Sequence, residues 1–292
     1  MDRSDVQPSR LRCVVSEVDR IAQLEDPYEV LRAATERMAS AQQEVTELAR
    51  LRRQVIQSLY DQGLSYAQIA EKAGLTRGRI HQLRHGGPAP EGAFLGVGRV
   101  VIAAPLKQEA GNARPVVAAE DFTAANRLGE LARTLGLSAE SEQIPLGGAF
   151  DLNRDGLVVI CGPRLSSVIG DAQRADPALQ FEQQDDGPFA LHDLRTEVTY
   201  RSGADLDPPE PFDVAYLARL PRPDGQGHFL SLTGIHPPGT LGAAQYLATE
   251  LAELHKELGQ EPFSLLVRVE HGADNEPTGV EPVTPIYRHR ES

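Results

Sequence analysis

Residues 64–84, "LSYAQIAEKAGLTRGRIHQLR", constrain the local fold more tightly than any other stretch. Ser65 with Gln68 three residues on spells a capping box. Gly74 sits where a tight corner between two helices needs positive φ. Thr76 is placed to cap a second helix, and Ile69, Ala70, Ile80 and Leu83 are the inward residues. On a helical wheel Gly78, His81, Gln82 and His85 point the other way, with Arg77, Arg79 and Arg84 on the shoulders. Two short helices packed across a glycine turn follow, the second with a basic, hydrogen-bonding outer face.

The charge distribution sharpens this. The 292 residues carry a net charge of −13, yet residues 1–90 hold 13 Arg and Lys against 12 Asp and Glu. Residues 50–85 hold 7 against 2. The acidic remainder repels a polyanion before contact, so any nucleic acid must meet the basic island. Arg forks reach phosphates or guanine edges and Gln pairs with adenine, which suits the outer face to a major groove.

The stretch resembles the helix-turn-helix of region four of bacterial sigma factors. "LSYAQIAEKAGLTRGRIHQ" follows that family's pattern, sY-x-x-IA-x-x-x-G-x-s-x-x-x-V, over about residues 45–86. The resemblance implies that Thr76, Arg77, Arg79, His81 and Gln82 face DNA, with Ser65 and Tyr66 near the backbone. No region-two segment, the promoter-opening part of that family, accompanies it. The expectation is therefore a bacterial DNA reader rather than a working sigma factor.

Upstream, Val14, Val18, Ile21 and Leu24 mark a helix over 11–26, closed before Pro27. A longer helix from about Tyr28 carries Leu31, Ala34, Met38, Ala41, Val45 and Leu48 in a heptad-like seam. That seam fits either a helical hairpin with 11–26 or a dimer contact. "DQG" at 61–63 ends the helix. Downstream, "HGGPAPEGAFLGVG" (85–98) is a Gly/Pro connector and the expected boundary. Strands "RVVIAAP", "GLVVICGP", "GHFLSLTGIH", "FSLLVRVEH" and "VTPIYRH" alternate with helical segments at 120–137, through "RLSSVIGDAQR" and after Pro237, with shorter strand candidates at "FALHDL", "TEVTYRS" and "DVAYLARLP". The expected fold is α+α/β: a helical N-terminal domain (1–86) with its helix-turn-helix at 65–85, a linker (87–98), and a Rossmann-like, mostly parallel α/β domain (99–292) with one antiparallel edge.

Two loops of that second domain, "CGPRLSSV" and "TGIHPPGTLG", fall past the carboxyl ends of strands, where open α/β sheets bind ligands. Gly162, Gly234 and Gly239 would let backbone approach a ligand, while Ser166, Ser167, Thr233 and Thr240 supply hydroxyls and His236 an imidazole. Thr240 is placed near the start of a long helix, whose N-terminus favours an anion. Neither loop is a P-loop or a dinucleotide fingerprint. His236, Glu120 with Asp121, and Cys161 are the titratable groups of interest, but none has a readable catalytic partner. "GADLDPPEP" reads as a plain acidic loop, and "LGGAFDLNRDG" lacks the spacing and final Glu of a calcium loop.

Cys13 and Cys161 fit neither a zinc pattern nor a disulfide framework. No apolar run is long enough for a membrane span and no signal-peptide core opens the chain, so the expected location is cytoplasmic. The reading is a transcription regulator that binds double-stranded DNA as a possible homodimer and senses a small molecule, with no metal, cofactor or membrane partner. Its rivals are a nucleoside- or sugar-directed hydrolase or transferase carrying a targeting helix-turn-helix, and a protein-interaction platform.

Overall fold

A computed structural model describes residues 17–289 apart from 87, 110, 112, 113 and 186. The chain divides into two units, 1–45 and 46–292, at a point within the long helix rather than at the connector.

In the first unit, α1 spans Glu17–Ala22 and α2 begins at Pro27 and runs to Asp61. The first six residues of the predicted helix over 11–26, Cys13 and Val14 among them, lie outside the described residues. Asp26 opens α2 by accepting the Tyr28 N–H (2.9 Å), and Pro27 takes the first helical position, where a missing N–H costs nothing. Arg37 pairs with Glu17 across the two helices at 3.0 Å. Of the heptad seam, Leu31, Met38 and Val45 remain 65%, 73% and 59% exposed.

The second unit begins inside α2. Gly63 turns the chain with φ +91°, and α3 (Tyr66–Ala73) and α4 (Arg77–Gly86) follow. The capping box forms at Ser65 and Gln68, and Gly74 adopts φ +66° at the corner, as the sequence predicts. Ile56 of α2 joins Ile69, Ala70, Ile80 and Leu83 in one small core.

The connector is packed rather than loose. It contains a 3-10 turn at Pro90–Phe94, whose Phe94 and the following Leu95 are buried against the sheet. Strands β1 (Arg99–Pro105), β2 (Lys107–Gln108) and β3 (Pro115–Val116) lead to α5 (Ala119–Thr134). Then come β4 (Ser138–Ile144), β5 (Leu157–Val159), α6 (Ser167–Gln173), β6 (Leu179–Gln183), β7 (Phe189–Asp193) and β8 (Val198–Tyr200). A 3-10 turn (Gly203–Asp205) precedes β9 (Phe212–Pro221), β10 (His228–Gly234), α7 (Pro237–Leu258), β11 (Phe263–His271), β12 (Pro277–Pro282) and β13 (Tyr287–Arg288).

The main sheet has the order β12-β11-β9-β10-β5-β1-β4, with β13 also on β11. Its core is parallel: β4, β1, β5 and β10 run together. The other half is antiparallel, which corrects the expectation of a single antiparallel edge. The reason lies in the loops. Only "RPDGQG" (222–227) joins β9 to β10, and a parallel crossover needs a dozen residues or more. A short loop containing Asp224-Gly225 makes a hairpin instead.

Side chains alternate between the two faces, as strand geometry requires. Val100, Ile102 and Ala104 of β1 pack beneath α5 and α7, while Val101 and Ala103 face the opposite core. That second core is closed by Ile169 of α6 and by Leu179 and Leu191 from the small sheet β6-β7-β8. Crossing from β1 through α5 to β4 moves the chain one way, and β5 lies on the other side of β1. A crevice therefore opens between the carboxyl ends of β1 and β5, the usual place for a ligand in such sheets.

Candidate nucleic-acid interface and ligand cleft

Helix α4 is anchored from below. Ile80 and Leu83 are buried, and Thr76 caps the helix by accepting the Arg79 N–H at 3.2 Å. Ser65, Thr76, Arg77, Gly78, Arg79, His81, Gln82 and His85 are all exposed. Arg84 behaves differently. Its guanidinium donates to Gln57 Oε1 (2.7 Å) and to the Tyr66 hydroxyl, and lies 3.9 Å from the centre of the Tyr60 ring. It clamps α4 to α2 and α3, a structural task beside the DNA contact expected of it. Tyr66 is half-buried by the same clamp, with Tyr60 5.0 Å from its ring.

Below this reader, Arg50 of α2 is almost fully buried. Its Nη1 meets both Glu47 oxygens (2.5 and 2.6 Å), Nε donates to Ala89 O (3.1 Å), and Nη2 donates to Leu135 O (2.7 Å) at the end of α5. Glu47 also accepts the Gly98 N–H at 2.8 Å. One ion pair thus ties α2, the connector and α5 together. No sequence pattern marked Arg50 or Glu47, because their partners are mostly backbone groups up to 85 positions away.

At the carboxyl ends of β1, β5 and β10 lies a cleft with apolar walls from Ile160, Leu165, Phe181, Phe189 and Ile235. Of the residues that the sequence offers for a ligand, Gly162, Thr233, Gly234, His236 and Thr240 line it; Ser166, Ser167 and Gly239 are not part of its lining. Most of these residues serve the fold. Ser166 caps α6 and donates to Gly148 O (2.6 Å), and Thr233 donates to Cys161 O (2.6 Å). Thr240 Oγ1 accepts the Gly234 N–H at 2.9 Å. Gly162 is required by packing, since a Cβ there would stand 2.6 Å from Thr233 Cγ2.

The N-terminus of α7 is already satisfied. Pro237 and Pro238 bring no N–H groups, and the buried Asp213 carboxylate accepts from His236 N (2.8 Å) and Gly239 N (3.0 Å). Burial pushes Asp213 up to about 6, while these donors and His236 favour its charge. An external anion therefore finds that helix end occupied, which corrects the expected anion site there.

His236 Nε2 meets both oxygens of Asp205 (2.9 and 3.0 Å), so "GADLDPPEP" is more than a plain acidic loop. The residues lie 31 positions apart, and nothing in the sequence joins them. Asp121, in the first turn of α5, also lines the cleft. Burial drives its carboxyl up to about 7; Glu120 adds to the rise, and Lys107 and Arg164 oppose it. Burial pushes the Cys161 thiol up to about 12, which removes it as a nucleophile at neutral pH. Ser264, His289 and Asp176 cluster elsewhere, but one nitrogen, His289 Nε2, faces both Ser264 Oγ (2.9 Å) and Asp176 Oδ1 (3.3 Å). A catalytic triad needs both ring nitrogens, and Ser264 is fully buried. Among the described residues no three His, Cys, Asp or Glu side chains form a metal-binding group, and no helix is long and apolar enough to cross a membrane.

The capped pair of helices, the glycine corner and the exposed basic face define a helix-turn-helix of the DNA-binding kind. Residues 46–87 match the family model of sigma-70, region 4. That match indicates DNA binding and transcription regulation. No curated protein and no solved structure matches the chain.

Proposed function

We propose that this protein is a sequence-specific, DNA-binding transcription regulator whose α/β part (99–292) senses a small molecule and whose helical part (1–86) reads the operator. The exposed outer face of α4, held by Ile80 and Leu83 beneath, carries the reading. Thr76, Arg77, Arg79, His81 and Gln82 are its base- and phosphate-reaching residues, and Ser65 stands beside the backbone. The parallel half of the sheet, with its crevice between β1 and β5, supports a Rossmann-like sensor. Selection of binding sites from a random DNA pool tests the central claim: an enriched motif supports it, and a pool that stays random overturns it.

Helix α5 gives the two parts a physical link. Its first turn holds Asp121 in the cleft, and Leu135 at its end accepts the Arg50 guanidinium. A ligand that moves the first turn moves the seat of the reader.

Gly78 supplies a separate test. A Cβ at this position meets nothing within 4 Å, so Gly78→Ala is expected to raise the free protein's stability by up to about 1 kcal/mol through helix propensity. The added methyl points toward the groove, so DNA affinity should fall in the same variant. A titration that shows unchanged affinity would remove close backbone approach from the docking geometry.

The exposed stripe on α2 supports pairing of two copies. The half-buried Ala34 and Ala41 alternate with Leu31, Met38 and Val45, so an antiparallel pair can set Met38 against the partner's Ala41, Val45 against the partner's Ala34 and Leu31 against the partner's Leu48. Met38→Glu is expected to give a monomer in sedimentation; a variant as dimeric as the native chain rejects this interface.

A further inference from the structure

Asp121 is 6% exposed, and among the described residues no hydrogen-bond donor reaches its carboxyl. Lys107 and Arg164 act on it only at longer range, and Glu120 and Cys161 are the other titratable groups that it feels. A buried carboxyl without a donor costs free energy unless something else supplies the hydrogen bond. Asp121 lines the cleft, so that something can come from solution.

The other polar groups there are largely spoken for. Thr233 and Thr240 are bonded internally, Asp213 fills the start of α7, and His236 is held by Asp205. What remains is the Asp121 carboxyl as an acceptor, in a lining that also holds apolar walls from Ile160, Phe181 and Phe189 and the exposed Arg164 guanidinium, which a cationic guest must pass to reach it. A carboxylate carries two acceptor oxygens side by side, and the ligand feature that matches both is a pair of parallel N–H donors.

We propose that the cleft takes a flat, apolar small molecule that places an amidine-type pair of N–H donors on the Asp121 carboxylate. Amidines, 2-amino nitrogen heterocycles and the N–H edge of guanine share this pattern. The inference rests on the sensor reading above and supplies the chemical class of the ligand.

The test uses the full chain with benzamidine as the probe and benzoate as its shape-matched anion. Calorimetry is expected to show benzamidine binding at least about tenfold more tightly than benzoate, with Asp121→Asn erasing the difference. Docking a cation ionises a carboxyl that holds its proton near neutrality. At pH 6 close to one proton is therefore expected to leave per benzamidine bound, and almost none at pH 8. Runs in two buffers of different ionisation enthalpy read this directly.

The variant's fold has its own control. A carboxyl raised to about 7 in the fold supports stability only while protonated, and that support is lost as pH rises through 7. Asp121→Asn should therefore melt above the native chain at pH 8 and beside it near pH 4. Equal affinity for benzamidine and benzoate, absence of binding by either, benzamidine affinity unchanged in the variant, or no proton release would each overturn the assignment. DNA titrations on the same preparations separate the two readings. Intact DNA binding with no benzamidine effect sinks the ligand class alone, whereas benzamidine binding without DNA binding sinks the regulator.

Discussion

Arg50→Ala is expected to lower the free energy of unfolding by about 3–5 kcal/mol, the usual cost of removing one partner from a buried ion pair. The truncation leaves the Glu47 carboxylate with only the Gly98 N–H, and strips Ala89 O and Leu135 O of their donor. It also opens a void beside Gly92, where a Cβ would stand 3.0 Å from the guanidinium. Urea unfolding followed by circular dichroism measures the loss. Replacing both partners, Arg50→Met with Glu47→Leu, should recover only part of it: the apolar pair removes the unpaired charge and refills the volume, but Ala89 O, Leu135 O and the Gly98 N–H stay without their partners. A single-variant loss below about 1 kcal/mol would place the contact among ordinary surface ion pairs and deny it a structural role.

The second large effect concerns DNA. Arg77→Ala and Gln82→Ala should each reduce discrimination between the selected site and random sequence by about 1–3 kcal/mol. Native affinity should also fall steeply with salt, because each phosphate contact releases counterions. Arg84→Ala should separate from both. Its guanidinium is engaged with Gln57, Tyr66 and Tyr60, so its loss should loosen the three-helix unit before it alters base preference. Unchanged discrimination in the Arg77 and Gln82 variants would mean that the outer face of α4 does not lie along base edges.

These predictions draw on parts of the molecule that were unequally legible. The helix-turn-helix was readable because its determinants are local: a capping box, a left-handed glycine and inward apolar residues all lie within 21 positions. The parallel core strands announced themselves as apolar runs. The edge strand β4, "SAESEQI", did not, because only Ile144 is fully buried and its pairing with β1 is carried by backbone. β12 was hidden for the same reason, being short, bounded by prolines and exposed or half-buried throughout. The antiparallel half could have been found from the length of the β9–β10 loop, which leaves no room for a crossover.

The loops mark the cleft in the sequence, but the internal bonds of its polar residues do not show there. Glycines and hydroxyls there close the turn, cap helices and seal strand ends. Asp205, Asp213 and Asp121 set the electrostatics instead, and they come from three separate elements. A carboxylate's neighbours in space, not its neighbours in sequence, decide whether it caps a helix or waits for a guest.

The two-ended contact of α5 has a thermodynamic corollary. Under the proposed sensing role, a single rod that touches the cleft at one end and the Arg50 anchor at the other cannot transmit in one direction only. Whatever factor an occupant of the cleft imposes on operator affinity, the operator must impose on the occupant. Promoter occupancy would therefore retune the threshold at which the same molecule detects its signal, giving bound and unbound copies different sensitivities within one cell.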